Sequence, residues 1–101
     1  MNQALHTQLH TELWTSWASM LRVYAAAYGL NSSHHAVVEV GADEITLRVN
    51  NRWVRFTRHA MDDSEGKHAA FALQDDGNVL CDQQTQEMDM AAEQVARQIM
   101  Q

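Results

Sequence analysis

The stretch Ile45-Thr46-Leu47-Arg48-Val49-Asn50-Asn51-Arg52-Trp53-Val54-Arg55-Phe56 decides the fold. Two runs rich in β-branched and aromatic residues flank an Asn-Asn pair, which is the composition of a β-hairpin. A two-residue primed turn asks for positive φ at both central residues, and asparagine tolerates it. That turn sets Val49 opposite Arg52, Arg48 opposite Trp53, Leu47 opposite Val54, Thr46 opposite Arg55 and Ile45 opposite Phe56. Side chains alternate across a strand, so Ile45, Leu47, Val54 and Phe56 share one face, and Thr46, Arg48, Trp53 and Arg55 share the other. The first face reads as core and the second as mostly solvated.

Upstream, Ala36 to Val40 reads as a further strand, preceded by a loop at Asn31, Ser32 and Ser33. Before that loop the apolar period becomes helical. A helix is expected from about Gln3 to Tyr28, ending at Gly29 as a left-handed C-cap with Leu30 closing over the last turn. Leu5, Leu9, Leu13, Trp17, Met20 and Tyr24 are expected over the hairpin core, with Trp14, Leu21 and Tyr28 broadening the face toward a second helix or a partner.

Downstream, Ala60 to Lys67 reads as a polar loop and Ala69 to Leu73 as a fourth strand. Asp75-Asp76-Gly77-Asn78 turns the chain into a short fifth strand, Val79 to Cys81, with Leu80 facing Leu73. Thr85 suits the N-cap of a second helix, whose packing face is Met88, Ala91, Ala92, Val95 and Ile99. The expected fold is α+β: a two-layer sandwich in which a four- or five-stranded antiparallel meander carries the N- and C-terminal helices on one face, residues 1–101 forming a single domain.

Composition narrows the function classes. One cysteine, Cys81, excludes an internal disulfide and suits a reducing cytoplasm, where it serves as a small hydrophobe. The first residues, Met1 to Leu13, contain neither a basic start nor an unbroken apolar run, so no signal peptide or membrane span is expected. Seven basic against thirteen acidic residues give a net charge of −6, which disfavours a nucleic-acid partner. Arg48, Arg52, Arg55 and Arg58 nevertheless cluster, so a local basic surface can form on an acidic molecule.

No residue group demands catalysis. The serines lack a glycine-framed elbow, and the four glycines are isolated, so neither a nucleophile nor a phosphate-cradling loop is expected. No cofactor is implied. His6 and His10 lie one helical turn apart, a spacing that offers a metal two imidazoles, but a site needs further ligands. His34 and His35 point to opposite sides of an extended segment. His59 and His68 flank Asp62, Asp63 and Glu65 without the spacing of a calcium loop. The more distinctive group is Arg48, Trp53 and Arg55, where Arg48 is expected to lie on the indole opposite it. Such a pair can simply stabilise the hairpin, but a large aromatic flanked by arginines is also the composition of a protein-contact hot spot.

Short segments resemble two families. Leu13-Trp14, the hairpin from Glu39 to Leu47 and Leu80-Cys81-Asp82 are similar to frataxin, a resemblance that implies metal handling. The acidic ridge of that family's first helix is represented here by Glu12 alone, and its glutamine-x-tryptophan strand signature is missing. Ala72 to Cys81, ahead of a C-terminal helix, resembles type III secretion chaperones, which implies a small, acidic, dimeric α+β protein. Those chaperones carry a helix where this chain has Ala60 to Lys67. The expectation is a non-catalytic protein-binding or adaptor domain, chaperone-like in class, contacting a protein partner or a second copy as a homodimer through Arg48, Trp53 and Arg55. The alternative is a frataxin-like metal-handling protein.

Overall fold

The structure, a computed structural model, describes residues 2–29 and 35–101, with side chains from Gln8 onward. Its elements are α1 (Asn2–Gly29), β1 (Ala36–Val40), β2 (Ile45–Val49), β3 (Arg52–Phe56), β4 (Ala60–Asp63), β5 (His68–Leu73), β6 (Asn78–Cys81), β7 (Gln84–Glu87) and α2 (Met88–Met100). The strands form one antiparallel meander in the order β1 to β7, with the two helices packed together against it. The α+β layout is as expected, but the sheet has seven strands rather than four or five.

The central hairpin has the register its alternation dictates, from Val49 opposite Arg52 to Ile45 opposite Phe56. Only the first turn residue takes positive φ, Asn50 at 57°, where two were expected. The expected loop at Ala60 to Lys67 contains β4, which pairs with both β3 and β5. Its turn is closed by the Asp63 carboxylate, whose Oδ1 accepts the backbone N–H groups of Glu65 and Lys67 at 2.9 Å each. An Asp side chain that ties down its own turn lets a short polar strand reverse tightly. The chain also adds β7 through a two-residue turn with positive φ at both Asp82 (53°) and Gln83 (69°). Thr85 therefore sits in β7 opposite Leu80, and α2 starts at Met88 after Glu87, which makes no side-chain cap bond. Leu80 faces Ala72 rather than Leu73, and Leu73 faces Val79.

The core lies between the sheet's inner face and the helices. Trp17, Phe56 and Phe71 meet at its centre, with ring centroids 5.2 Å apart for Trp17–Phe56, 5.5 Å for Trp17–Phe71 and 4.8 Å for Phe56–Phe71. On α1 the fully buried stripe is Trp14, Trp17, Ala18, Leu21 and Ala25, a helical i, i+3, i+4, i+7 pattern. Leu13, Met20 and Tyr24 flank it, so Trp14 and Leu21 belong to the seam itself and not to its margin. The side chain of Leu5 and the whole of Leu30 to Ser33 lie outside the described residues. On α2, Met88, Ala91, Ala92, Ala96 and Ile99 are buried, and Val95 packs beside them.

The helices are tied together by two matched bonds. Tyr24 donates its hydroxyl proton to Asp89, and Tyr28 donates to Glu93 at 2.6 Å. Each pair advances one helical turn in the same sense, so α1 and α2 run parallel along this seam. Tyr28, expected to broaden the face toward a second helix or a partner, thus meets the second helix. The other end of α2 is closed by Arg52, whose Nη2 donates to the carbonyl of Gln98 at 2.9 Å. That satisfies an acceptor left open by the last helical turn. No helix among the described residues is long and apolar enough to cross a membrane.

Candidate functional site

Because both helices cover the inner face, the outer face of the sheet carries the residues left for contact. On β3, Val54 and Phe56 point inward and are buried, while Trp53 and Arg55 point outward and are half-buried. Arg48 stands on the same side, opposite Trp53 on β2. Arg55 faces Thr46 on one flank and Asp62 on the other, and Asp62 faces His68 on β5. One cross-strand row thus reads Thr46, Arg55, Asp62, His68 over four strands.

The structure brings Trp53 and Arg55 together, but not Arg48 and Trp53 as a stack. The Arg55 guanidinium lies over the indole with its carbon 5.0 Å from the ring centroid. Arg48 turns away to Glu39 on β1, donating from Nε and Nη2 at 3.2 and 3.1 Å. The exposed ion pair and an exposed cation–π contact are each worth about 1 kcal/mol or less, and with Glu39 in reach of Arg48 and Arg55 over the ring, the expected stack is replaced by these two contacts. Trp53 is pinned at its backbone, where its N–H donates to Ser64 Oγ at 3.1 Å and its carbonyl accepts from Ser64 N at 2.9 Å. Thr46, expected to be solvated, is 7% exposed, with its hydroxyl 3.4 Å from Glu44 Oε1.

Asp62 and His68 join this group although the sequence places them with a loop. Asp62 Oδ1 lies 2.6 Å from His68 Nδ1, and its Oδ2 is 4.0 Å from Arg55 Nη2. The signal that could have found them is the alternation Ala60, Met61, Asp62, with one apolar residue between two outward positions. The result is a planar aromatic under a guanidinium, beside a carboxylate–imidazole pair, on a surface of mixed charge. It offers stacking and charge-assisted hydrogen bonds.

The other histidines separate. His10 stacks on Trp14 at 5.8 Å between centroids, and its pKa is held below the usual imidazole value by burial first, then by the nearby positive charges of Arg58 and His59. Trp14 itself donates from Nε1 to the Gly41 carbonyl at 2.9 Å, anchoring this end of α1 to the turn between β1 and β2. His35 is exposed, while His34 and the side chain of His6 lie outside the described residues. Among the described residues no three of His, Cys, Asp and Glu converge on a point that could hold a metal ion. Cys81 is half-buried, and burial pushes its thiol up, with Lys67 opposing and Asp82 adding to the rise.

Open grooves also mark the surface of the described residues. One of 340 Å³ runs from Arg52 and Trp53 past Ser64 to Gln98 on α2, and one of 290 Å³ lies between α2 and the Cys81–Gln86 hairpin. The third, of 380 Å³, lies between α1 and the edge strand β1. Comparison with known protein families, with curated proteins and with solved structures yields no match.

Proposed function

We propose that this chain is a non-catalytic protein-binding module of adaptor type, and that the outer sheet face around Arg48, Trp53 and Arg55 is the surface its partner meets. The observation that carries the reading is Trp53 held under Arg55 on the sheet face opposite buried Val54 and Phe56. An aromatic and an arginine are among the residues most enriched where binding energy concentrates, the ring because it buries a large rigid area and the guanidinium because it presents a planar fork of donors. Asp62 and His68 beside them add a hydrogen-bonding rim. The reading places the protein in the cytoplasm, where the single thiol stays reduced.

The test is affinity capture from the native cell with the wild-type chain and with Trp53→Ala and Arg55→Ala. A partner retained by the wild type and lost from both variants, each still folded by circular dichroism, is the expected result. An unchanged set of captured proteins removes the outer face from consideration. The metal-handling alternative needs a third ligand beside Asp62 and His68, and calorimetric titration with ferrous, zinc and cupric ions without saturable heat would eliminate it.

A further inference from the structure

We infer that the free edge of β1 pairs antiparallel with β1 of a second copy, giving a twofold-symmetric dimer with a continuous sheet. Among the described residues no strand pairs with the outer side of β1. Its sequence is Ala-Val-Val-Glu-Val, with Val37 and Val40 each 46% exposed, and it contains neither proline nor lysine. Proteins usually blunt such edges with those residues, because an exposed apolar strand recruits another strand.

The hydrogen-bond phase of the edge is fixed by its turn. Gly41 N donates to Glu44 O at 2.7 Å, and bonded and non-bonded pairs alternate along an antiparallel ladder. Glu39–Thr46 and Val37–Arg48 are then the bonded pairs, whereas Ala36, Val38 and Val40 aim their N–H and C=O groups away from β2. These three residues are symmetric about Val38. An antiparallel copy centred there sets Ala36 against Val40, Val38 against Val38 and Val40 against Ala36, exchanging about six backbone hydrogen bonds.

The side chains fit that register. The groove of 380 Å³ beside β1 is lined by Arg22, Ala25, Ala26, Gly29, Ala36 and Val38, most of them small residues, with His35 at its end. Pairing places Val40 of each copy beside Ala36 of the other and so at this groove. The half-exposed valine and the small-walled cavity are thus reciprocal features of one surface, as a twofold interface requires. On the outer side Val37 meets the partner strand's glutamate position, and each Glu39 enters the seam already paired with its own Arg48. Pairing of short strands alone falls below the roughly 1,200 Å² of a stable interface, and the α1 flank supplies further area through Arg22, Ala26 and Gly29, which line the groove beside β1.

Sedimentation velocity of the full chain over a range of concentrations tests the inference. The expected wild-type species has twice the 11.5 kDa of one chain. Val40→Lys and Val37→Glu, both at exposed positions that leave the monomer fold intact, weaken association about tenfold or more, the first by carrying a like charge to the groove that Arg22 lines and the second by setting a like charge opposite Glu39 across the seam. Hydrogen exchange gives a second reading: the amides of Ala36, Val38 and Val40 are protected in the wild-type dimer and exchange freely in Val40→Lys. Trp53→Ala dimerises like the wild type, which separates this edge from the outer-face reading. A wild type that sediments as one chain at every concentration overturns the inference, as does a dimer unaffected by both edge variants or one lost only in Trp53→Ala.

Discussion

Strand β3 passes through two environments within five residues. Phe56 is wholly buried against Trp17 and Phe71, whereas Arg55, its immediate neighbour, lies on the opposite face with 40% of its side chain exposed. On the inner face, energy comes from shape: aromatic rings at close spacing leave nothing for water to occupy. On the outer face it comes from pairing of charges and rings that are still partly hydrated, where each contact adds little to stability. One face therefore holds the fold, and the other can be spent on recognition without endangering it.

The largest effect that can test this contrast is at the centre of the inner face. Phe56→Ala should cost about 3–5 kcal/mol in urea unfolding, since the ring's neighbours cannot collapse into the space it leaves. Trp53→Ala should cost about 1 kcal/mol or less, the cation–π contact and some packing, while abolishing partner capture. Comparable losses at the two positions would show that the faces do not differ in role.

A smaller effect is expected at the helix seam. The Tyr24 and Tyr28 hydroxyls are held above the usual phenol range, chiefly by their bonds to Asp89 and Glu93. Protonated phenols donate these bonds, so their contribution is complete below the unfolded-state value near 10 and is lost as pH rises through the higher folded values. Thermal unfolding scans at alkaline pH should show an additional loss of stability in the wild type that Tyr24→Phe/Tyr28→Phe lacks. The smallest effect concerns His10, whose folded pKa is depressed. Its contribution is present above about 6.5 and fades as pH falls below that value. A His10→Gln variant should have a flatter melting profile over the same acid range; an identical profile would place the titration elsewhere.

The parts of the fold legible in the sequence were those where one chemical signal dominates. Ile45 to Phe56 alternates cleanly around Asn50-Asn51, and all its cross-strand pairs follow. Strands β4 and β7 escaped because Ala-Met-Asp-Asp and Gln-Thr-Gln-Glu have little apolar alternation. Their pairing is imposed by neighbours: Met61 by the core, and β7 by a turn in which Asp82, a residue type that tolerates positive φ, is followed by Gln83, one that rarely adopts it. Thr85 looked like a helix cap because the same hydroxyl chemistry suits either context. At the site, the outward placement of Arg48, Trp53 and Arg55 was legible from alternation alone. Which arginine covers the indole was not, since that choice depends on Glu39 lying within reach of Arg48. The contribution of Asp62 and His68 became visible only once β4 existed as a strand.

The bonds joining Tyr24 to Asp89 and Tyr28 to Glu93 also have a temporal meaning. They connect residues 65 positions apart, with the whole meander between them. During synthesis the hairpins can close one after another from local contacts, but α1 emerges first and meets α2 only after every strand has been made. Its buried stripe of Trp14, Trp17 and Leu21 therefore waits, uncovered on the side that α2 will occupy, for the interval needed to translate the rest of the domain. Closure of the core is deferred to the last helix, and the newborn chain is most vulnerable to misassociation just before that helix arrives.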